Sequence, residues 1–227
     1  MIDNENRISS LKTIEIVQSN RRENYYQIVK RGMDILGGLI GIIFFLIAYF
    51  LLFVPYHMGE NKGSMLFKQR RLGKNGELFE IYKFRSMKTN ANEILKNDRD
   101  LYQKYVESGY KLEVYEDPRI TRLGKFIRKA SIDELPQFVN VLKGEMSLVG
   151  PRPIVEEELI EYGDSKNKFL NVKPGLTGLW QVSGRSAVGY PERCELELDY
   201  VEKASLKCDI KILFKTFVTV LRKEGAF

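Results

Sequence analysis

The chain has 227 residues, enough for one substantial domain with an appendage, and its 44% apolar content is sufficient to bury a core. The net charge of +6 favours an anionic partner such as a membrane surface, a nucleotide or phosphate groups. Two cysteines without metal-ligand spacing and a single histidine argue against a disulfide scaffold, a histidine-based catalytic triad and a zinc site.

The first sixty residues divide into a polar arm and an apolar helix. Residues 1–29 carry mixed charge and predict an arm that is loosely ordered or partly helical. Residues 35–54 are uncharged and, as a helix, would be roughly 30 Å long, about the hydrocarbon thickness of a bilayer. We therefore predict an arm (1–29), a membrane helix with its flanks (30–60) and a following domain (61–227).

Both ends of the apolar run are basic, which bears on its topology. Positive residues mark the cytoplasmic side of a membrane, so this pattern favours a re-entrant helix, or one lying in a single leaflet, over a simple span. Asp34, at the entry, is expected to pair with a basic neighbour. The basic residues of the two flanks are Arg21, Arg22, Lys30, Arg31, Lys62, Lys68, Arg70, Arg71 and Lys74.

A β-hairpin is predicted next, from strands at residues 65–71 and 78–84 joined through Asn75-Gly76. Aromatic and basic residues alternate at the end of the second strand, including Lys83 and Arg85. This pattern suits either a phosphate-bearing ligand or an amphipathic edge strand. Helices dominate the rest of the prediction, so the fold class is helix-rich α+β with one small hairpin.

Two adjacent carboxylates, Asp133 and Glu134, follow a basic segment that ends near Arg128. Ser131 with Glu134 fits a helix capping box. Pro136 is easier to accommodate if the helix begins nearer Asp133, which would place both acids at the positive end of a helix dipole. A carboxylate placed there with a metal could attack phosphorus, and at this point capping and chemistry carry equal weight.

The C-terminal half offers further cations. Arg152 stands between two prolines, which would present its guanidinium rigidly to phosphate oxygens. A glycine-rich stretch carries Lys173 and Arg185, a Pro174-Gly175 pair that fits a type II turn, and Trp180, which is either a membrane-interface anchor or a core residue. Two helices, at residues 192–203 and 206–222, end the chain.

Taken together, these motifs resemble the bacterial sugar transferase family, the monotopic polyprenyl-phosphate phosphoglycosyl transferases. The resemblance covers the chain from about residue 29 onward, and its specificity comes from the fixed order of the motifs. They are Lys30-Arg31 with Asp34, residues 82–87 (YKFRSM), Arg128 with residues 131–135 (SIDEL), residues 140–153 (NVLKGEMSLVGPRP) and residues 173–178 (KPGLTG).

The resemblance implies an enzyme that moves a phosphosugar from a UDP-sugar to undecaprenyl phosphate, at the cytoplasmic face of the inner membrane, in capsule or exopolysaccharide synthesis. Asp133 matches the nucleophile and Mg²⁺ ligand, and Glu134 its partner acid. Lys83, Arg128 and Arg152 match positions that contact phosphate or nucleotide. Arg85, Lys173 and Arg185 are added as phosphate-binding candidates from their charge, and a homo-oligomer is left open.

The sequence departs from the family's pattern at two places, and two other functions remain as alternatives to sugar transfer. The family often carries Ser-Pro midway along the membrane helix, where this chain has Leu46-Ile47, and Glu197 stands where aspartate is common. The rivals are a membrane-associated, metal-dependent phosphohydrolase and a membrane-anchored scaffold without activity. Nucleic-acid binding is not predicted, because the sequence carries no recognition motif for it.

Overall fold

The computed structural model describes residues 2–107, 112–184 and 188–222, with side chains described from residue 23 to residue 219 outside the two gaps. The fold is helix-rich α+β, as predicted. The helices are α1 (Ile2–Phe53), α2 (Ala91–Asn97), α3 (Arg99–Glu107), α4 (Arg122–Lys129), α5 (Gln137–Lys143), α6 (Lys166–Leu170), α7 (Glu192–Lys203) and α8 (Leu206–Arg222). The strands are β1 (Leu66–Leu72), β2 (Leu78–Phe84), β3 (Ser147–Val149) and β4 (Gly175–Thr177).

Helix α1 is continuous from the polar arm through the apolar run. It passes Leu46-Ile47 without a break, and the arm is helical from Ile2 rather than loosely ordered. Within it, Glu23–Phe53 is long and apolar enough to cross a membrane by length and composition. The re-entrant topology and the cytoplasmic placement of the domain stay predictions.

One face of α1 packs closely on the domain through a stripe of glycines. A Cβ on Gly41 would lie 2.2 Å from the Phe138 ring, and one on Gly38 would lie 2.6 Å from Leu142 Cδ2. Only glycine therefore lets α5 approach α1 at this distance. The opposite face exposes large apolar side chains, as a lipid-facing helix does. They are Leu36, Leu39, Ile40, Ile43, Phe44, Ile47, Phe50 and Leu51.

Polar residues at the start of the apolar run hold α1 to the domain. Arg31 donates to the carbonyl oxygens of Val141 and Leu142, both at 2.7 Å, and so satisfies the C-terminal end of α5. Asp34, predicted to pair with a base, forms no ion pair with a side chain in the described ranges, although its charge acts on Lys173. Its buried Oδ1 instead accepts hydrogen bonds from the Ser147 hydroxyl at 2.9 Å and the Leu148 backbone N–H at 2.8 Å.

The predicted hairpin is confirmed. Strands β1 and β2 pair antiparallel, and Asn75 in the connection takes the left-handed conformation at φ 58° that an Asn-Gly turn favours. Strands β3 and β4 form a second, parallel pair. The type II turn predicted at Pro174-Gly175 is wrong, because Gly175 begins β4 and pairs with Ser147. This pairing is between distant segments, so the local turn pattern does not reveal it.

Three further local predictions can be compared with the packing. An acidic helix is predicted over residues 154–162, and a 3₁₀ helix runs over Glu156–Ser165. Leu123, Phe126 and Ile127 predict the buried side of α4, and Ile127 is fully buried, but Phe126 is 60% exposed. The apolar side of α8 suits packing on the core or lying on a bilayer; Ile212 is buried in the core, and Ile210, Phe214 and Phe217 are exposed.

Candidate active site

The acidic pair lies on a short 3₁₀ turn rather than inside an α-helix. Ser131 takes a left-handed conformation at φ 54° and ψ 21°, whereas an N-cap residue is extended, so the capping-box prediction is wrong. The 3₁₀ turn Ile132–Glu134 follows, and α5 begins only at Gln137 with Pro136 immediately before it. Asp133 and Glu134 are thereby held just ahead of α5, on a turn whose geometry is set by the strained serine.

Asp133 is half-buried and titrates abnormally. Burial and the adjacent Glu134 carboxylate raise the pKa of Asp133 to about 6, and the nearby cations Lys83 and Arg128 only partly oppose that rise. A carboxylate whose charge is poorly solvated, with cations around it, is a common arrangement for a reacting group. Below neutral pH this acid would pass from a charged to a neutral form.

Glu134 lies between two cations. Lys83 Nζ, from the end of β2, donates to Glu134 Oε1 at 3.1 Å, and Arg152 Nη1 is 3.9 Å from the same oxygen. Strand β2 and the loop after β3 therefore deliver their cations to one point. These three side chains line one narrow cleft with Arg71, Gln137 and Gln181.

Arg128 is fixed on the Asp133 side of the acidic pair. Its Nε donates to the Ser86 hydroxyl at 2.8 Å, and the charge of Asp133 acts on its guanidinium, whose pKa burial lowers. Close contact between α4 and the segment after β2 makes this possible, because a Cβ on Gly124 would lie 1.9 Å from the Ser86 carbonyl oxygen. Gly124 is therefore needed to bring Arg128 to its position.

The backbone of Arg152 is anchored by Glu197. Its N–H donates to Glu197 Oε1 at 2.9 Å, and Tyr162 donates to Oε2 of the same buried carboxylate. Glu197, which stands where the family commonly has aspartate, is 1% exposed and holds the loop that carries Arg152 in place. This contact joins residues 45 positions apart, so only the folded chain reveals it.

Trp180 is a core residue rather than an interface anchor. It is 9% exposed, and its ring lies beneath the guanidinium groups of Arg152 at 5.7 Å and Arg193 at 4.7 Å. Its Nε1 donates to the Val188 carbonyl oxygen at 2.8 Å. The ring therefore supports Arg152 from below while the prolines and Glu197 fix its backbone.

The other predicted phosphate ligands are placed elsewhere. Arg85 donates to the backbone carbonyls of Asn61, Ser64 and Met87, which fix the segment between α1 and β1. Lys173 lies beside Arg31, near Gly144 at the C-terminal end of α5. Burial and the charge of Arg31 lower the pKa of Lys173 there. Within the described ranges, neither side chain lines the cleft. Arg185 falls outside the described residues.

Sequence reasoning missed three cleft residues: Arg71, Gln137 and Gln181. Arg71 was counted only as part of a basic membrane flank. Gln137 stands three positions after Glu134, at the first position of α5, and this closeness to the acidic pair was the only sequence signal for it. Their approach depends on the pairing of β1 with β2 and of β3 with β4, which brings distant segments to one place.

A divalent cation fits this site only if the protein carboxylates and a substrate phosphate bind it together. Across residues 2–107, 112–184 and 188–222, no group of three or more His, Cys, Asp or Glu side chains could hold a metal. Mg²⁺, however, is commonly bound by one or two carboxylates together with substrate phosphates. The mutual repulsion that raises the pKa of Asp133 beside Glu134 would be relieved by such a cation. The pair therefore fits Mg²⁺ held jointly with a phosphate ligand.

Comparison with known proteins gives consistent matches. A family model described as bacterial sugar transferase matches residues 25–223. The chain is 44% identical over 215 residues to an undecaprenyl-phosphate galactose phosphotransferase of Salmonella typhimurium, covering 93% of this chain and 44% of that protein. It is 42% identical over 226 residues to the galactosyl transferase CpsE of Streptococcus agalactiae, covering 98% and 49%.

A shorter relative matches along most of its own length. The exopolysaccharide production protein ExoY of Rhizobium meliloti is 40% identical over 202 residues, which cover 87% of this chain and 88% of that protein. The chain thus spans less than half the length of the Salmonella and Streptococcus relatives and nearly all of ExoY.

Proposed function

Since the chain belongs to the bacterial sugar transferase family, as its motifs predict, we propose that it transfers a phosphosugar from a UDP-sugar to undecaprenyl phosphate. The products would be undecaprenyl-diphosphate-sugar and UMP, at the first step of capsular or exopolysaccharide repeat-unit assembly. The observation that carries the proposal is the acidic pair Asp133–Glu134 with Lys83, Arg128 and Arg152 placed around it. The sugar transfer for which the Salmonella and Streptococcus relatives are named agrees with it.

The reaction proceeds in two displacements at one phosphorus atom. A carboxylate oxygen of Asp133 forms a bond to the phosphorus that bears the sugar, and the bond from that phosphorus to the bridging oxygen breaks. The electron pair leaves on UMP. The phosphate of the lipid then attacks the aspartyl phosphosugar and returns Asp133 to its carboxylate form. Soluble donor and membrane-bound acceptor therefore need not be bound together.

The cations supply most of the catalysis, because phosphoryl transfer is chiefly a problem of positioning and charge. Lys83 and Arg152, which meet at Glu134, would bind the diphosphate of the donor. Arg128, fixed by Ser86, lies near Asp133 and would bind oxygens of the phosphoryl group being transferred. Because these cations are held by the fold before substrate arrives, little reorganisation is needed in the transition state.

Asp133 and Glu134 would hold Mg²⁺ together with phosphate oxygens of the donor, and when bound the ion neutralises phosphate charge that would otherwise repel an attacking carboxylate. Asp133 makes the attack, and Lys83, Arg128 and Arg152 bind the phosphate groups. Glu134 also keeps Lys83 and Arg152 at one place before the donor binds.

The membrane helix would bring this chemistry to its acceptor. The apolar face of α1 is exposed along the segment whose glycine face packs on α5, so one helix contacts both lipid and domain. Such a helix would hold the site at the cytoplasmic face of the inner membrane, where the phosphate of undecaprenyl phosphate lies. The first 22 residues and the oligomeric state have no assigned part in this proposal.

The direct test is to incubate purified protein with a panel of UDP-sugars, undecaprenyl phosphate and Mg²⁺. We expect UMP and a lipid-linked diphosphosugar in equal amounts with at least one donor. A phosphohydrolase would instead give a water-soluble sugar phosphate, or phosphate, without needing the lipid. A scaffold would give no product with any donor. Either result would overturn the proposal.

The pH dependence of the first displacement should follow Asp133. Only the ionised carboxylate attacks, so the rate of UMP release without acceptor should fall about tenfold per pH unit below pH about 6, the raised pKa of Asp133. Glu134→Gln removes a charge that raises this pKa, so its acid limb should move to lower pH even though its maximum rate falls. Single-turnover rates measured across the pH range would check this. An acid limb at the same pH in both proteins would contradict it.

A further inference from the structure

Gln137 is an unusual residue in the candidate active site. Its side chain is 97% buried, since only 3% of the residue is exposed, and it lines the cleft that holds Lys83, Glu134 and Arg152. Among the residues that the structure describes, none accepts a hydrogen bond from its Nε2. The residue opens α5, four positions after Asp133. An amide group is therefore held in the cleft with its donor unused.

A buried amide without a partner is unfavourable, because the group has lost its hydrogen bonds to water and gained none from the protein. Native proteins satisfy most buried polar groups, so an unpaired donor that lines a cleft is available to a ligand. Arg71, on β1, shows the same feature in the same cleft. Its Nη1 and Nη2 are paired with Glu158 and Gln69, while its buried Nε has no partner in the described part of the chain.

The hydrogen-bond donors and positive charges that line the cleft indicate which chemical group it would bind. Gln137 Nε2 and Arg71 Nε are donors, and Lys83 and Arg152 bring positive charge to the same walls. A group that only accepts hydrogen bonds and carries negative charge satisfies all four. A phosphate oxygen has this character, and a sugar hydroxyl, which also donates, lacks the charge.

The position of the cleft decides which phosphate it receives. Lys83 and Glu134 line the cleft, whereas Asp133 is not among its lining residues. In phosphoryl transfer the attacking and leaving oxygens lie roughly in line through phosphorus. With Asp133 as the attacking group, the leaving phosphate is therefore directed away from it, toward the cleft.

We propose that Gln137 binds the leaving phosphate of the donor, the one that departs with the nucleoside, through a hydrogen bond from Nε2, with Arg71 Nε as a second donor to the same group. The proposal rests on the proposed function. The contact would strengthen as the bridging bond breaks and negative charge moves onto that phosphate. Gln137 would then contribute to UMP binding and to the first displacement.

The test compares Gln137→Met with its parent, both carrying Asp133→Asn so that only binding is measured. Methionine has a similar length and no strong hydrogen-bonding group. Calorimetric titration with UMP and with CMP should show both affinities lowered about tenfold by Gln137→Met, with the UMP-to-CMP ratio unchanged. The ligand-free melting temperature should stay the same or rise, because the unpaired amide is gone. Gln103→Met, an exposed glutamine on α3, is the matched control and should change nothing.

Three outcomes would overturn the inference. UMP affinity within twofold of the parent would mean that Gln137 does not contact the ligand. A weaker preference for UMP over CMP would place the amide at the base instead of the phosphate. A melting temperature several degrees lower would assign it a structural role. If wild-type protein released no UMP from any UDP-sugar, the proposed function itself would fail. Normal wild-type release with unchanged UMP binding in Gln137→Met would remove this inference alone.

Discussion

Asp133→Asn should abolish UMP release from a UDP-sugar even when no lipid acceptor is present, because the first displacement needs only the donor and the attacking carboxylate. We expect a loss of at least about a thousandfold, equivalent to roughly 4 kcal/mol of transition-state stabilisation. Asparagine is nearly isosteric but is a far weaker nucleophile than a carboxylate. Wild-type protein given a radiolabelled donor without acceptor should retain label, and the peptide that contains Asp133 should carry it.

This variant separates chemistry from folding. Burial and Glu134 make the charge of Asp133 unfavourable, as its raised pKa indicates, so the neutral amide should leave the melting temperature unchanged or higher. Asp164→Asn, at an exposed position, is the matched control and should keep wild-type activity. Near wild-type turnover in Asp133→Asn, or label on a different peptide, would remove Asp133 as the nucleophile.

Asp209→Ala should have the largest effect on stability, because it leaves the ammonium of Lys30 buried without its anion. Lys30 Nζ lies 2.6 Å from Asp209 Oδ2, and the side chains are 14% and 1% exposed. Tyr26 and Tyr200 also donate to this carboxylate, at 3.1 and 2.7 Å. Breaking a buried pair from one side costs about 3–5 kcal/mol. We expect the melting temperature to fall by roughly 10 °C.

The double variant Lys30→Met with Asp209→Leu tests the cause. If the loss comes from an uncompensated charge, removing both partners should restore most of the stability lost in Asp209→Ala. Asp199→Ala breaks an exposed pair with Lys203 and should leave the melting temperature almost unchanged. A double variant as unstable as the single variant would show that lost packing, and not the charge on Lys30, is responsible.

This ion pair also joins helix α1 to the candidate active site. Lys30 Nζ donates to the Val149 carbonyl oxygen at 2.9 Å, and Val149 precedes the loop that carries Arg152. Helix α1, strand β3 and helix α8 therefore meet at one buried ammonium group. Loosening this contact would therefore affect both the position of α1 and that of Arg152, the cation that faces Glu134.

Local patterns were sufficient where neighbouring residues decide the structure. The Asn75-Gly76 turn and the alternation around it specified the hairpin, because a tight turn depends on backbone conformations at two positions. The two helices predicted at residues 192–203 and 206–222 are likewise confirmed, as α7 and α8. Family membership was also within reach of the sequence, because several short motifs in fixed order identify a family although no single motif does.

Only the tertiary structure decided which polar groups meet. Arg85 was predicted to bind phosphate, yet its guanidinium donates hydrogen bonds to three backbone carbonyl oxygens. Asp34 was predicted to pair with a base, yet it accepts a hydrogen bond from the Ser147 hydroxyl on β3. Gln137 carries no sequence signal of its own, and its importance comes from burial beside strands that lie far away in the chain. Burial and charge are set by long-range contacts, so the order of residues specifies the available side chains and the fold decides which of them remain for a ligand.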